Sequence, residues 1–148
     1  HQELAAAVAE YQGTHRVRLA ETATRYFQRF SGRNRRVELD EGFAVKVVEP
    51  DGQECAVAQL SQGAQDQLYL ALRLAIADLV GGSAPLPLLL DDPFVNCDAE
   101  RLARIRAALE EASVQRQIVL FSHRNDFAAW GRPVHMEEDR PSPAHANP

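Results

Sequence analysis

The spacing of apolar positions changes several times along the chain, and each change predicts a different element. From residue 1 to about 30, Leu4, Val8, Tyr11, His15, Leu19, Ala23, Tyr26 and Phe30 recur every three or four positions without an intervening proline. That period predicts a helix, and Ser31-Gly32 ends it. Alternation then takes over, clearest in Arg36 to Asp40 and continuing through the short runs Phe43 to Val48 and Glu54 to Ala58, separated by Glu41-Gly42 and Pro50-Asp51-Gly52. Alternation broken by turn residues predicts a small antiparallel meander. Helical spacing returns from Gly63 to about Val80, with Leu68, Leu72, Ala75, Ile76 and Leu79 expected on one face and Gly81-Gly82 as the stop.

Leu86 to Leu90 is apolar without alternation, which predicts a strand buried on both faces. Asp98 is expected to cap a helix running to about Ala112, with Leu102, Ile105 and Leu109 inward. Gln117 to Phe121 predicts a second buried strand, followed by a short helix over Asn125 to Trp130 and a last strand over Pro133 to Glu137. From Asp139 onward, prolines among small polar residues predict a disordered tail. The order of these elements predicts an α/β domain with a mostly parallel sheet flanked by helices, preceded by a long helix and an antiparallel meander.

Composition narrows the classes. A length of 148 residues suits one domain with a real core, and 25% charged with 45% hydrophobic residues is ordinary for a soluble chain. The net charge of -5 argues against a broadly basic grip on nucleic acid, so any such contact falls to local arginines. Cys55 and Cys97 are too few for a disulfide framework, which suits a reducing cytoplasm. No apolar stretch approaches the roughly 20 residues of a membrane helix, so no membrane role is expected.

Three places carry chemistry. Asp91-Asp92 follow an apolar strand, which delivers carboxylates rigidly to its carboxyl end, where α/β sheets bind ligands. Magnesium takes hard oxygen donors of this kind, so Asp91 is the expected metal ligand; a turn or capping aspartate is the plainer alternative. Ser61-Gln62-Gly63 opens a long helix, where a hydroxyl and free N–H groups suit a phosphate, although Ser61 could equally be a simple N-cap. His123 follows the second buried strand, where a neutral imidazole could donate to a terminal phosphate. The remaining histidines lack metal-ligand spacing.

Taken together, these segments resemble the C-terminal lobe of an ABC-type ATPase head of the SMC-like kind, a group that includes RecN, SbcC and especially YhaN-like proteins. Leu60 to Gln67 resembles the signature motif, Leu86 to Asp92 the Walker B strand with its following acidic residue, Pro93 to Asp98 the D-loop, and Ser122-His123 the switch histidine. The resemblance covers residues 31–138 as the lobe and implies that residues 1–30 are the root of a coiled-coil arm, against the alternative of a helix packed on its own domain. It implies ATP and Mg²⁺ as cofactors, with Ser61, Gln62, Gly63 and Asp98 at nucleotide held by a partner head. Asp91 would then hold the metal, while Asp92 and His123 act in hydrolysis. Most such heads carry Glu where this chain has Asp92, one methylene shorter, so either the attacking water must sit closer or the loop must shift.

No Gly-x-x-x-x-Gly-Lys-Ser/Thr loop occurs, and the one lysine, Lys46, lies in the meander. The resemblance therefore implies three partners: a P-loop lobe from the same protein, a second head and, by family analogy, DNA in repair or chromosome processing. A chain carrying the second lobe alone, with no start methionine, is expected to be part of a longer protein and inactive by itself. The alternatives are a head that binds nucleotide as a clamp without hydrolysis, and a receiver-like module in which paired aspartates bind magnesium and accept a phosphoryl group.

Overall fold

In the computed structural model, residues 2–82 and 84–135 are described, with side chains from residue 10 onward. Helix α1 spans Gln2–Ser31, about 45 Å at 1.5 Å per residue. Between Glu10 and Ala20 none of its side chains is buried, and Tyr11 is 67% exposed. From Ala23 onward it packs, with Ala23, Phe27 and Phe30 fully buried. Gly32, at φ +64°, ends it by donating its N–H to Gln28 O at 2.9 Å, a left-handed closure that glycine adopts without strain.

The meander forms as expected, from β1 (Arg36–Leu39), β2 (Val45–Val48) and β3 (Glu54–Ala56), antiparallel in the order β1-β2-β3. Its first turn is built by Asp40, whose Oδ1 accepts from the N–H groups of Gly42 and Ala44 at 2.8 Å each. Val57–Gln59 leave the strand as a 3₁₀ turn that leads into Leu60.

Helix α2 (Gln62–Gly81) packs along α1. Its buried stripe includes Ala64, Gln67, Leu68, Ala71, Leu74 and Ala75, whereas Ile76, expected inward, is 47% exposed. The alanines let α2 lie close to the Phe27 and Phe30 side of α1, and this rotates the buried face away from Ile76. The buried Gln67 amide donates to Phe30 O at 3.0 Å, satisfying a carbonyl at the end of α1.

Strand β4 covers Leu88–Asp91 and pairs in parallel with β5 (Ile118–Phe121). It starts two residues later than expected, because Pro85 and Pro87 have no N–H for a ladder. Among the described residues, neither strand is covered on both faces. Leu88 and Leu90 are buried, but Leu89 is 59% and Phe121 38% exposed. Helix α3 (Ala99–Ser113) lies between the two strands in sequence, and Asp98 caps it through a 2.8 Å bond from Arg101 N. Ile105, Ala108 and Leu109 form its inner face, with Leu102 half-buried.

A 3₁₀ segment, Asn125–Trp130, follows, and Phe127 and Trp130 pack against Phe94, with ring centroids 5.9 and 5.7 Å away. Residues 133–135 form no strand; the rest of that expected strand, and the expected tail, lie outside the described residues. No helix among the described residues is long and apolar enough to cross a membrane.

Asp78 near the end of α2 joins three elements. Its Oδ2 accepts from Tyr26 Oη of α1 at 2.8 Å, and its Oδ1 pairs with the buried Arg116 ahead of β5. Burial and then the Asp78 carboxylate push the Tyr26 phenol up from 10.0 to about 12. The folded state holds this proton more tightly than the unfolded chain. Its contribution to stability is therefore complete below pH 10 and is lost as pH rises towards 12. A tyrosinate absorbance component titrating near 12 is expected, and Tyr26→Phe should remove it. Persistence of that component in the variant would place it on another tyrosine.

Candidate nucleotide-responsive site

The site is built where β4 and β5 end side by side. Asp91 closes β4 opposite Phe121, and its carboxylate takes no hydrogen bond or ion pair among the described residues. Asp92 N donates to Phe121 O at 3.0 Å, which carries the chain one residue beyond the ladder before it turns. Asp92 makes that turn at φ +39°, a left-handed conformation that Asp and Asn tolerate better than other L residues. The turn swings its carboxylate over the end of β5. Ser122 Oγ donates to Oδ1 at 2.6 Å, and His123 Nδ1 lies 2.6 Å from Oδ2. The Ser122 bond first, then the His123 bond, hold the Asp92 carboxyl below the usual carboxylate range. Asp92 is therefore an ionised acceptor and a weak base, better suited to orienting a water than to keeping its proton.

That ionised carboxylate can only accept, so the His123 Nδ1 carries the hydrogen. A ring donating through Nδ1 presents Nε2 as an acceptor while neutral and as a donor only when doubly protonated. The expected neutral imidazole donating to a phosphate is thus incompatible with this contact; one of the two must give way. The imidazole is otherwise open, with 74% of the side chain exposed.

The start of α2 forms the second part. Ser61 occupies the N-cap position, yet its hydroxyl makes no capping bond, so the plainer reading of this serine is not realised. Gln62 and Gly63 follow, in the first turn, where N–H groups have no intrahelical acceptor. Gly63 is buried against the segment after Asp92: a Cβ there would stand 2.7 Å from Asn96 O and 2.6 Å from Arg101 Nη1. Glycine is required here for backbone packing within the chain, a reason not visible in the motif.

The same contact is reinforced by Asp66, which accepts from Gln62 Nε2 at 3.1 Å and from Asn96 Nδ2 at 3.0 Å. Asp66, Asn96 and Ser122 lie within the signature, D-loop and switch segments, but the contacts they make with Gln62 and Asp92 were not expected from the sequence. Only the four-residue spacing of Gln62 and Asp66 on one helix hinted at any of them. Asp98 caps α3 and also lies 3.3 Å from Arg101 Nε.

Between the two parts runs an open cleft of about 270 Å³, lined by Asp66, Tyr69, Arg73, Asp91, Asp92 and Asn96 among others. Arg73 lines this cleft. Arg124 is not among the lining residues; it pairs with Asp126 at 2.7 Å and lies over the Phe127 ring. Ser61 and His123 stand outside the cleft lining; hydrogen bonds join Asp92, Ser122 and His123 beside Asp91, while Gly63 and Asp98 both adjoin Arg101 near the start of α2. No group of three or more His, Cys, Asp or Glu residues among the described ones could hold a metal by itself. The open carboxylate of Asp91 fits magnesium in the way that ion is usually held, by one or two carboxylates plus phosphate oxygens and water.

The fold is that of SMC heads. A solved chain from structural work on ATP-driven dimerization and DNA-stimulated activation of SMC ATPases superposes with a TM-score of 0.66 at 18% identity, covering 86% of this chain and 82% of that one. The SMC head domain from Thermotoga maritima superposes with a TM-score of 0.59 at 20% identity, covering 82% of this chain and 45% of that one. In sequence, the YhaN protein of Bacillus subtilis is 38% identical over 127 residues, 80% of this chain and 13% of its own length. The DNA double-strand break repair Rad50 ATPase of Halobacterium salinarum is 35% identical over 103 residues, 64% of this chain and 11% of its own. No family model matches. Fold and sequence together identify the chain as the C-terminal lobe of an SMC-like ATPase head, homologous to YhaN and the Rad50 ATPases. It spans about an eighth of the YhaN length.

Proposed function

We propose that this lobe supplies the signature and water-orienting half of an ATP-hydrolysing head that closes on a second head around nucleotide, in DNA repair or chromosome processing. The observation that carries the reading is the cluster at the carboxyl ends of β4 and β5. There Asp91 is left open for a metal, and Asp92 is held ionised by Ser122 and His123. The chain has no loop to cradle the phosphates, so the nucleotide near Asp91 belongs to a P-loop lobe.

The exposed Leu86 and Leu89, and the parallel pair β4-β5, which has no further strand on either edge among the described residues, suit burial against such a lobe. On this reading the stretch of α1 from Glu10 to Ala20, where no side chain is buried, leads into the arm, and the start of α2 meets the γ-phosphate of the opposite head. DNA repair is the role carried by the Rad50 names and enters here as part of the proposal. The receiver-like alternative has no lysine at the site, because Lys46 lies in β2, paired with Glu54 at 2.8 Å.

The test is Ser61→Arg in the complete protein. Ser61 is exposed and makes no capping bond, so the substitution costs the fold little. Each head should bind ATP almost normally, while ATP-dependent dimerisation and turnover are lost. Sedimentation with and without ATP reads the outcome, and ATP-induced dimers of parental affinity would sink the proposal.

A further inference from the structure

We propose that Ser122 is a positioning residue for hydrolysis, acting through Asp92; this rests on the function proposed above. Asp92 needs such a residue for two reasons. Its backbone is left-handed at φ +39°, so a turn without glycine must be held by its side chain. An aspartate arm is also short, and small errors in where a water is held cost about 10²-fold in rate. Ser122 answers both needs. Its hydroxyl donates to Oδ1 at 2.6 Å while His123 takes Oδ2 at 2.6 Å, so the carboxylate plane is fixed at both oxygens from the end of β5. A carboxylate offers about four lone-pair sites. Ser122 and His123 do not use all of them, which leaves acceptor capacity to orient a water in the cleft that Asp92 lines. Ser122 Oγ also accepts from Arg124 N at 3.2 Å, which ties the hydroxyl itself to the backbone.

The arrangement separates two duties that one histidine would otherwise carry. If His123 leaves Oδ2 to meet a phosphate, Ser122 still holds Oδ1 and Asp92 keeps its place. Ser122 touches neither nucleotide nor water in this scheme.

The experiment compares the complete head with Ser122→Ala, Ser122→Thr, Asp92→Asn and the double variant Ser122→Ala/Asp92→Asn, measuring phosphate release against ATP concentration. Ser122→Ala should lower kcat about 10- to 100-fold with KM within about twofold of the parent. Ser122→Thr, which keeps the hydroxyl, should restore most of the rate. In the Asp92→Asn background, Ser122→Ala should cause no further loss, because its effect passes through Asp92. Three results would overturn the role: a parental kcat in Ser122→Ala, equal defects in Ala and Thr, or additive losses in the double variant. A parental head without turnover would instead remove the proposed function, and the role of Ser122 with it.

Discussion

Asp92→Asn in the complete head should reduce ATP turnover about 10²-fold or more while leaving ATP binding intact, so that an ATP-bound dimer accumulates. Asparagine is the informative replacement because it preserves what the backbone needs. Asp92 sits at φ +39°, a region Asn tolerates, whereas alanine would add strain and confuse misfolding with lost chemistry. The amide oxygen can still accept from Ser122, but the charge that aligns the water is gone, as is the charged acceptor for His123. The carboxyl of Asp92 is held below its usual range, so at neutral pH the parent carries the full negative charge and the variant none. Phosphate release reports the rate and light scattering the dimer. Turnover at the parental rate would show that Asp92 does not orient the water.

A second large effect is structural. Gly63→Ala should destabilise the chain by about 1–3 kcal/mol, the range for forcing a methyl group into a filled space. The new Cβ would meet Arg101 Nη1 at 2.6 Å and Asn96 O at 2.7 Å. The arginine tip can swing away, but the Asn96 carbonyl moves only if the segment between Asp92 and Asp98 moves with it. That shift would also strain the 3.0 Å bond from Asn96 to Asp66. Gly13→Ala is the control. It lies in α1 with nothing within 4 Å, so alanine there should be neutral or stabilising by up to about 1 kcal/mol. Thermal unfolding of the two variants measures the difference, and a Gly63→Ala melting point equal to the parent's would refute the close packing.

Local order was legible in the chain wherever one segment carried its own signal. The helical spacing up to Phe30, the alternation over Arg36 to Val48 and the Asp98 cap each depend on contacts a few residues apart, so α1, the meander and the start of α3 fall where they were expected. The motifs likewise pointed to Asp91, Asp92 and His123, because strand ends followed by acidic or imidazole groups are a local pattern.

What the sequence alone determined, then, is the order of elements and the residue types at their ends. The tertiary structure decided which of those ends meet. Ile76 lies outward because α2 settles its alanine face on α1, a choice of partner that spacing cannot make. Leu89 is exposed because burial of β4 depends on what covers the sheet, and among the described residues only the Leu88 and Leu90 face of that strand is covered. Asp92 gained Ser122 and His123 only when β4 and β5 paired in parallel with Asp91 opposite Phe121, bringing residues thirty positions apart to 2.6 Å. The need for glycine at 63 arises from the carbonyl of Asn96, which reaches α2 only after the segment following Asp92 has folded back over the helix. Periodicity records how each segment divides apolar from polar faces; which face meets which neighbour is settled by packing.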